Sequence, residues 1–203
     1  MLDHILGLAR GRRLLYVPTA GAEDPSSTLS WYSRLHGRAD LAHLHLFPWP
    51  PDGLRELTLA HDLVLVGGGN TANLLAVWRA HGFDAVLRDA WQSGVLLAGW
   101  SAGMICWFEA SVTDSFGPQL EGMTDGLGFL SGSACPHYDG EERRRPVYQQ
   151  LVRDGFPPGL ALDDAAGAHY VGTGLHEIVA SSPEARGYLV GPDGEQELDA
   201  RLL

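Results

Sequence analysis

The chain has little cysteine, a shortage of positive charge and no long apolar run. Cys106 and Cys135 are its only two cysteines. Both lie in apolar surroundings, and two such thiols are packing residues more often than a disulfide framework or a metal site. No His/Cys/carboxylate cluster has zinc-ligand spacing, so neither a metal nor an organic cofactor is expected. No apolar stretch approaches the ~20 residues that cross a bilayer. The start, Met1-Leu2-Asp3-His4-Ile5-Leu6, lacks a basic lead-in and is soon interrupted by Arg10, Arg12 and Arg13. That pattern reads as no signal peptide, and a cytoplasmic location without membrane contact is expected. Lys and Arg total 14 against 25 Asp and Glu, a formal net charge of −11. An acidic body repels phosphates unless a basic face is segregated, so nucleic acid is not an expected partner. A homo-oligomer stays open. The one basic cluster is Arg143-Arg144-Arg145, just after Glu141-Glu142.

What is present is a core and an alternation. With 45% apolar residues over 203 positions the chain can bury a substantial interior, and one domain, 1–203, is the default. Leu14 to Val17, Leu41 to Phe47, Leu63 to Val66, Val95 to Ala98, Gly132 to Cys135 and Leu160 to Leu162 read as strands, with helices after Ser26, Thr71, Phe83, Ser101 and Pro146. That alternation predicts an α/β fold, a mostly parallel sheet with helices on both faces. From His169 onward, Gly172-Thr173-Gly174, Pro183-Glu184 and Pro192-Asp193-Gly194 punctuate short segments that read as C-terminal β-hairpins.

Two glycine-rich turns carry the chemistry. Gly99-Trp100-Ser101-Ala102-Gly103 follows Val95-Leu96-Leu97-Ala98 and leads into Met104-Ile105-Cys106-Trp107-Phe108, read as the helix after the turn. In a strand-to-helix turn of the form G-x-S-x-G, the glycines leave room for a strained backbone that lifts the serine hydroxyl out of the sheet. The competing reading is a tight turn whose serine is an N-cap. Leu63-Val64-Leu65-Val66, a run suited to a strand buried on both faces, leads into Gly67-Gly68-Gly69-Asn70-Thr71. The turn lacks the Lys-Ser/Thr of a phosphate loop and the full dinucleotide fingerprint, and beside a serine elbow its N–H groups suit an oxyanion. A turn needing glycine only for positive φ is the alternative.

A serine hydroxyl needs a base. Of nine histidines, His137 stands just past the strand Ser133-Ala134-Cys135 and Pro136, at the start of the polar loop His137-Tyr138-Asp139-Gly140. Side chains past the carboxyl end of a strand face the crevice where open α/β sheets bind ligands. His169 and His176 are the runners-up, on segments that look like hairpin strands.

Together, Gly67-Gly68-Gly69-Asn70-Thr71, Gly99-Trp100-Ser101-Ala102-Gly103 and Cys135-Pro136-His137-Tyr138 resemble the peptidase E family of serine peptidases, the alpha-aspartyl dipeptidases, with cyanophycinases as relatives. The likeness runs from about Leu14 to about Tyr170. It implies a class I glutamine-amidotransferase-like α/β fold, with Ser101 as nucleophile and His137 as base. The acid is where the chain departs from the pattern, since Leu160-Ala161-Leu162-Asp163-Asp164-Ala165 offers an aspartate pair where peptidase E usually has a glutamate. Asp164 falls at the acid position, and Asp114 and Asp163 are the alternatives. The resemblance also places Arg143 in a pocket for an aspartyl side chain, and guanidinium pairs with carboxylate bidentately. The expected reaction is hydrolysis of a small peptide substrate through an acyl-enzyme on Ser101, with the N–H groups of Ala102 and of Gly68 or Gly69 holding the oxyanion. The same constellation serves an esterase or amidase on non-peptide acyl groups, and a non-catalytic binding module can keep the fold with an idle elbow.

Overall fold

A computed structural model describes every residue from Met1 to Leu203. The chain forms two compact units, Leu2–Met104 and Ile105–Leu203, the latter joined by Met1.

The first unit runs α1 (Leu2–Leu8), β1 (Arg13–Val17), α2 (Pro25–Leu35), β2 (Asp40–His43), α3 (Leu54–Leu59), β3 (Leu63–Val66), α4 (Thr71–Ala80), α5 (Phe83–Gln92) and β4 (Leu96–Gly99). Its sheet has the order β2-β1-β3-β4 and is parallel throughout. All four residues of β3 are buried, which requires cover on both faces and accounts for an unbroken apolar run rather than an alternating one. Leu14, Tyr16, Leu35, Leu63 and Leu65 form a core cluster against which Leu2, Ile5, Leu6 and Trp31 pack. Side-chain caps fix two helix starts. Asp24 accepts from the Ser26 and Ser27 amides ahead of Pro25, and Asn70 accepts from the Asn73 amide at 2.8 Å.

The strand expected over Leu41 to Phe47 is laddered only through His43. The Leu44 amide still reaches the Tyr16 carbonyl at 2.8 Å, but the Leu46 and Phe47 amides donate instead to the buried Glu23 carboxylate at 2.6 and 3.3 Å. A charged acceptor outcompetes a strand edge there. Helices α1 and α3 are additions to the sequence reading.

The second unit begins inside α6 (Ala102–Ile105) and continues with β5 (Phe108–Thr113), β6 (Glu121–Met123), β7 (Leu130–Cys135), α7 (Arg144–Arg153), β8 (Gly159–Leu162), β9 (Ala166–Val171), β10 (Gly174–Ala180), β11 (Gly187–Gly191), β12 (Gly194–Leu198) and β13 (Ala200–Leu202). One sheet has the order β12-β11-β8-β7-β5-β6, parallel among β8, β7 and β5 and antiparallel at its margins. A second has the order β13-β10-β9. The C-terminal hairpins β9–β10 and β11–β12 are those expected from the turn residues.

The helix expected through Phe108 lasts one turn. The Leu127 amide takes the Cys106 carbonyl, and the Phe129 and Leu130 amides take that of Trp107, at 2.8–3.0 Å. These acceptors are then lost to any continuing helix, and Phe108 to Thr113 pair as β5 instead, next to β7. Helix α7 starts two residues before Pro146, whose missing N–H costs nothing in a first turn. Its Tyr148 and Val152, one turn apart, pack with Val112, Cys135, Tyr138, Ala161, Tyr188 and Val190. The Tyr148 hydroxyl lies 2.6 Å from Ser133 Oγ, so this buried phenol keeps a polar partner. Cys106 and Cys135 are free and buried, and burial pushes the Cys135 thiol up to about 12. No helix is long and apolar enough to cross a membrane.

Asp163 shows what the second unit tolerates. It is 6% exposed, its Oδ2 accepts from the Arg186 amide at 2.9 Å, and its Oδ1 has no hydrogen-bond partner. Burial, with Asp139 nearby, raises its pKa above the ordinary carboxylate value, against the lowering effect of the Arg186 N–H. A carboxyl whose folded pKa is raised carries no penalty below its unfolded pKa and destabilises the fold as pH rises through the folded one. Asp163→Asn should therefore match the parent in melting temperature near pH 4 and exceed it increasingly toward neutral pH. Thermal melts from pH 4 to 8 check this, and a gap that is widest at the acid end would contradict it.

Candidate active site

In the first unit, Ser101 sits between β4 and α6 at φ 54, in the left-handed region. For a residue with a Cβ that conformation costs about 1–2 kcal/mol, and it is not the extended backbone of an N-cap. The neighbouring glycines explain why it is held. A Cβ on Gly99 would collide with the Gly103 carbonyl and lie 2.8 Å from that of Val66, and one on Gly103 would collide with the Val66 carbonyl. The end of β3 and the two arms of the elbow thus touch backbone to backbone. The Gly103 and Met104 amides donate to the carbonyls of Trp100 and Ser101, both at 2.9 Å, closing the single turn of α6. With only one turn behind it the helix dipole is small, so any pull on an anion at Ser101 comes from individual N–H groups, Ala102 first among them.

The glycine turn after β3 lies beside the elbow. A Cβ on Gly68 would stand 3.2 Å from Ser101 Cβ and 2.9 Å from Trp100 Nε1. Gly69, at φ 138, has no room for a side chain because the Ala20 carbonyl occupies the place. The same Ala20 carbonyl accepts the Asn70 amide at 2.8 Å, which fixes the turn against the loop after β1. Gly68 and Ser101 are therefore neighbours, as the oxyanion expectation needs, while Gly69 meets the alternative requirement for positive φ.

In the second unit, His137 follows β7 at φ 54 and its Nδ1 lies 2.6 Å from Asp164 Oδ1. A carboxylate only accepts, so His137 Nδ1 is the donor of this pair. The loop is tied down on both sides: the Tyr138 amide donates to the Leu162 carbonyl at 3.0 Å, and the Asp164 amide donates to Asp139 Oδ1 at 2.7 Å. A Cβ on Gly140 would collide with the Asp164 carboxylate and displace it from its present place.

The three candidate acids separate. Asp164 meets His137, Asp163 is turned into the interior against Arg186 and Tyr188, and Asp114 is exposed, 3.8 Å from Arg144 Nη2. The three arginines separate as well. Arg144 is buried, held by Glu141 at 2.7 Å and the Val112 carbonyl at 3.2 Å. Arg145 pairs with Glu195 and lies over the rings of Tyr138 and Tyr188. Arg143 is exposed, its Nη2 donating to the Pro118 carbonyl at 2.9 Å. His169 and His176, the other histidine candidates, stack edge to face within β9 and β10, with His169 Nδ1 3.6 Å from Glu177. Sequence reasoning missed Gly140 and Asp139 as supports of the His137 loop. The signal available was the run His137-Tyr138-Asp139-Gly140 itself, in which a short acceptor and a small residue follow the histidine.

The chain has relatives among known proteins. The chain is 43% identical over 180 residues to an uncharacterized peptidase, YgaJ, of Bacillus subtilis (strain 168), covering 88% of this chain and 77% of that one. It is 28% identical over 181 residues to peptidase E of Shewanella denitrificans, covering 82% of this chain and 74% of the other. Among solved structures, a peptidase from an acI-B1 Actinobacterium has the same fold, with a TM-score of 0.71 at 17% identity over 98% of this chain and 88% of that one. A putative peptidase E protein from Listeria monocytogenes EGD-e follows with a TM-score of 0.58 at 14% identity, over 97% and 92%. The pattern of peptidase family S51 matches residues 1–178, from α1 into β10, and so takes in both glycine turns, the His137 loop and Asp164: the chain belongs to peptidase family S51.

Proposed function

We propose that this family S51 member is a serine peptidase of small peptides, working through an acyl-enzyme on Ser101 with His137 as base and Asp164 as its orienting acid. Its preferred substrates begin with an aspartyl residue whose carboxylate Arg143 receives. The observation that carries the reading is the backbone of Ser101, a residue with a Cβ held at φ 54 where its neighbours are glycines that admit no side chain. Strain of this kind persists only where the surroundings over-determine it, and an active site is a usual place for it.

In the proposed reaction His137 Nε2 takes the Ser101 proton as Oγ attacks the scissile carbonyl. The Ala102 N–H and that of Gly68 or Gly69 donate to the carbonyl oxygen as negative charge develops on it. Asp164 keeps the imidazole in the tautomer that can accept a proton and stabilises the imidazolium once formed. The imidazolium protonates the departing amine, and the same histidine then activates the water that clears the acyl group. Arg143 supports the aspartyl preference as the member of its triplet that carries no carboxylate partner.

Ser101→Ala is expected to leave the fold intact while hydrolysis of small peptides falls by several orders of magnitude, roughly 10⁴ or more. His137→Ala should cost about as much, because members of a catalytic unit are strongly non-additive, and Asp164→Asn roughly a hundredfold or more. Asp114→Asn and Asp163→Asn should stay within a few-fold of the parent. Near-native turnover in Ser101→Ala would reject the reading. A crippled Asp114→Asn beside an active Asp164→Asn would move the acid to Asp114.

For the substrate, an arginine that meets a desolvated carboxylate should favour Asp-Leu over Asn-Leu by ~1.5–3 kcal/mol, roughly one to two decades in kcat/KM. Arg143→Ala should erase that gap with little effect on Asn-Leu. Equal parent rates on the two dipeptides would remove the aspartyl preference and leave a broader small-peptide hydrolase.

A further inference from the structure

Trp100 is the elbow residue whose side chain the proposed reaction leaves unused. It is 37% exposed, yet its indole is firmly seated. The Tyr16 ring lies parallel to it at 6.2 Å between centroids and 5° between planes, and the Trp31 ring meets it at 4.9 Å and 36°. Tyr16 and Trp31 touch in turn at 5.7 Å. The support continues behind them. Tyr16 is buried, its hydroxyl lies 3.0 Å from Ser27 Oγ, and it presses on Gly67, where a Cβ would stand 2.9 Å from the phenol oxygen. The Arg34 guanidinium lies 5.4 Å from the centre of the Trp31 ring. Gly67 and Gly68 therefore do more than expose amides. Their missing side chains let Tyr16 and Trp100 close on the turn, so the three rings and the glycine turn form one packed block in the first unit.

We propose that the exposed face of Trp100, with Trp31 beside it, is a subsite for a flat or large apolar side chain on the leaving-group side of the scissile bond. This rests on Ser101 being the nucleophile. Trp100 is the residue before Ser101, and consecutive α-carbons lie 3.8 Å apart, so a side chain one residue from the attacked carbonyl is within reach of the indole. The acyl side of the proposed substrate carries a carboxylate, for which three stacked rings are a poor host. The leaving residue is the part they suit. Rings already immobilised by their neighbours lose little further freedom on binding, so most of the burial of a substrate ring against them is retained as affinity.

The experiment compares Asp-Ala, Asp-Leu and Asp-Phe, by kcat/KM with the parent protein and by dissociation constant with Ser101→Ala. The parent should favour Asp-Phe over Asp-Ala roughly 10–100-fold, in the range that apolar pockets discriminate, with Asp-Leu between. Trp31→Ala should reduce that preference several-fold, mainly through KM, and Trp31→Phe, which keeps a ring and guards against misfolding, should restore most of it. A flat series in the parent, or a preference that survives both Trp31→Ala and Trp100→Ala, overturns the subsite. Labelling of Ser101 by a fluorophosphonate separates this from the peptidase reading. Labelling with a flat series removes the subsite and keeps the nucleophile, whereas absent labelling and turnover with Asp-Phe still bound more tightly removes the nucleophile and with it the leaving-group assignment, leaving Trp100 as an apolar binding surface only.

Discussion

The Val66 carbonyl, at the end of β3, lies so close to Gly99 and Gly103 that neither position has room for a methyl group. Much of the first unit's local geometry around Ser101 hangs on that contact. Val66 and Gly99 are register partners, so the contact is the last rung of the β3–β4 ladder as well as the floor of the elbow. A side chain at either glycine would push the elbow away from β3 and release Ser101 from its left-handed backbone. It would also open the contact between Gly68 and Ser101. Strain of about 1–2 kcal/mol at one residue is small beside what four buried residues of β3 contribute at about 1.5–3 kcal/mol each. The core holds the backbone; the backbone holds the serine.

The features legible in the sequence are those whose physical requirement is local. A glycine that must let two backbones touch announces itself in a short motif, and both turns are found where the motifs put them. Strand β3 was legible for a related reason, since a strand buried on both faces needs apolar residues at every position. The failures are non-local. Cys106 to Phe108 looks like the continuation of a helix until the amides of Leu127, Phe129 and Leu130, some twenty residues on, claim the carbonyls that helix would have used. The end of β2 was lost in the same way, to the carboxylate of Glu23, twenty-three positions before Leu46. No window along the chain contains either competitor.

The aspartate pair marks the boundary between the two kinds of information. Adjacent residues at the end of a strand point to opposite sides, so one of Asp163 and Asp164 had to face inward. Which one depends on register, and β8 takes its register from β11 and β7. Once Asp163 continues the ladder through the Arg186 carbonyl, its side chain is committed to the interior and Asp164 to His137. The arginine triplet is sorted by the first turn of α7 in the same manner. Three consecutive positions advance about 100° each, so one is buried, one lies along the tyrosines and one is left outward.

That sorting bears on how so acidic a chain would take the aspartyl substrate proposed above. With 25 carboxylates against 14 basic groups, its distant field repels an anion. Under the proposed aspartyl preference, recognition of that side chain would be a contact property. Two of the three neighbouring guanidinium groups are already matched, Arg144 by Glu141 and Arg145 by Glu195. Their charge is spent inside the fold, and it leaves Arg143 as the group whose positive end is not answered by a carboxylate. A single unanswered guanidinium against a repulsive background discriminates by geometry: an anion gains only when it reaches bidentate distance, and one held farther off feels mainly the surrounding acid groups. Selectivity of this kind depends on short, desolvated contacts, which salt screens far less than it screens the long-range field.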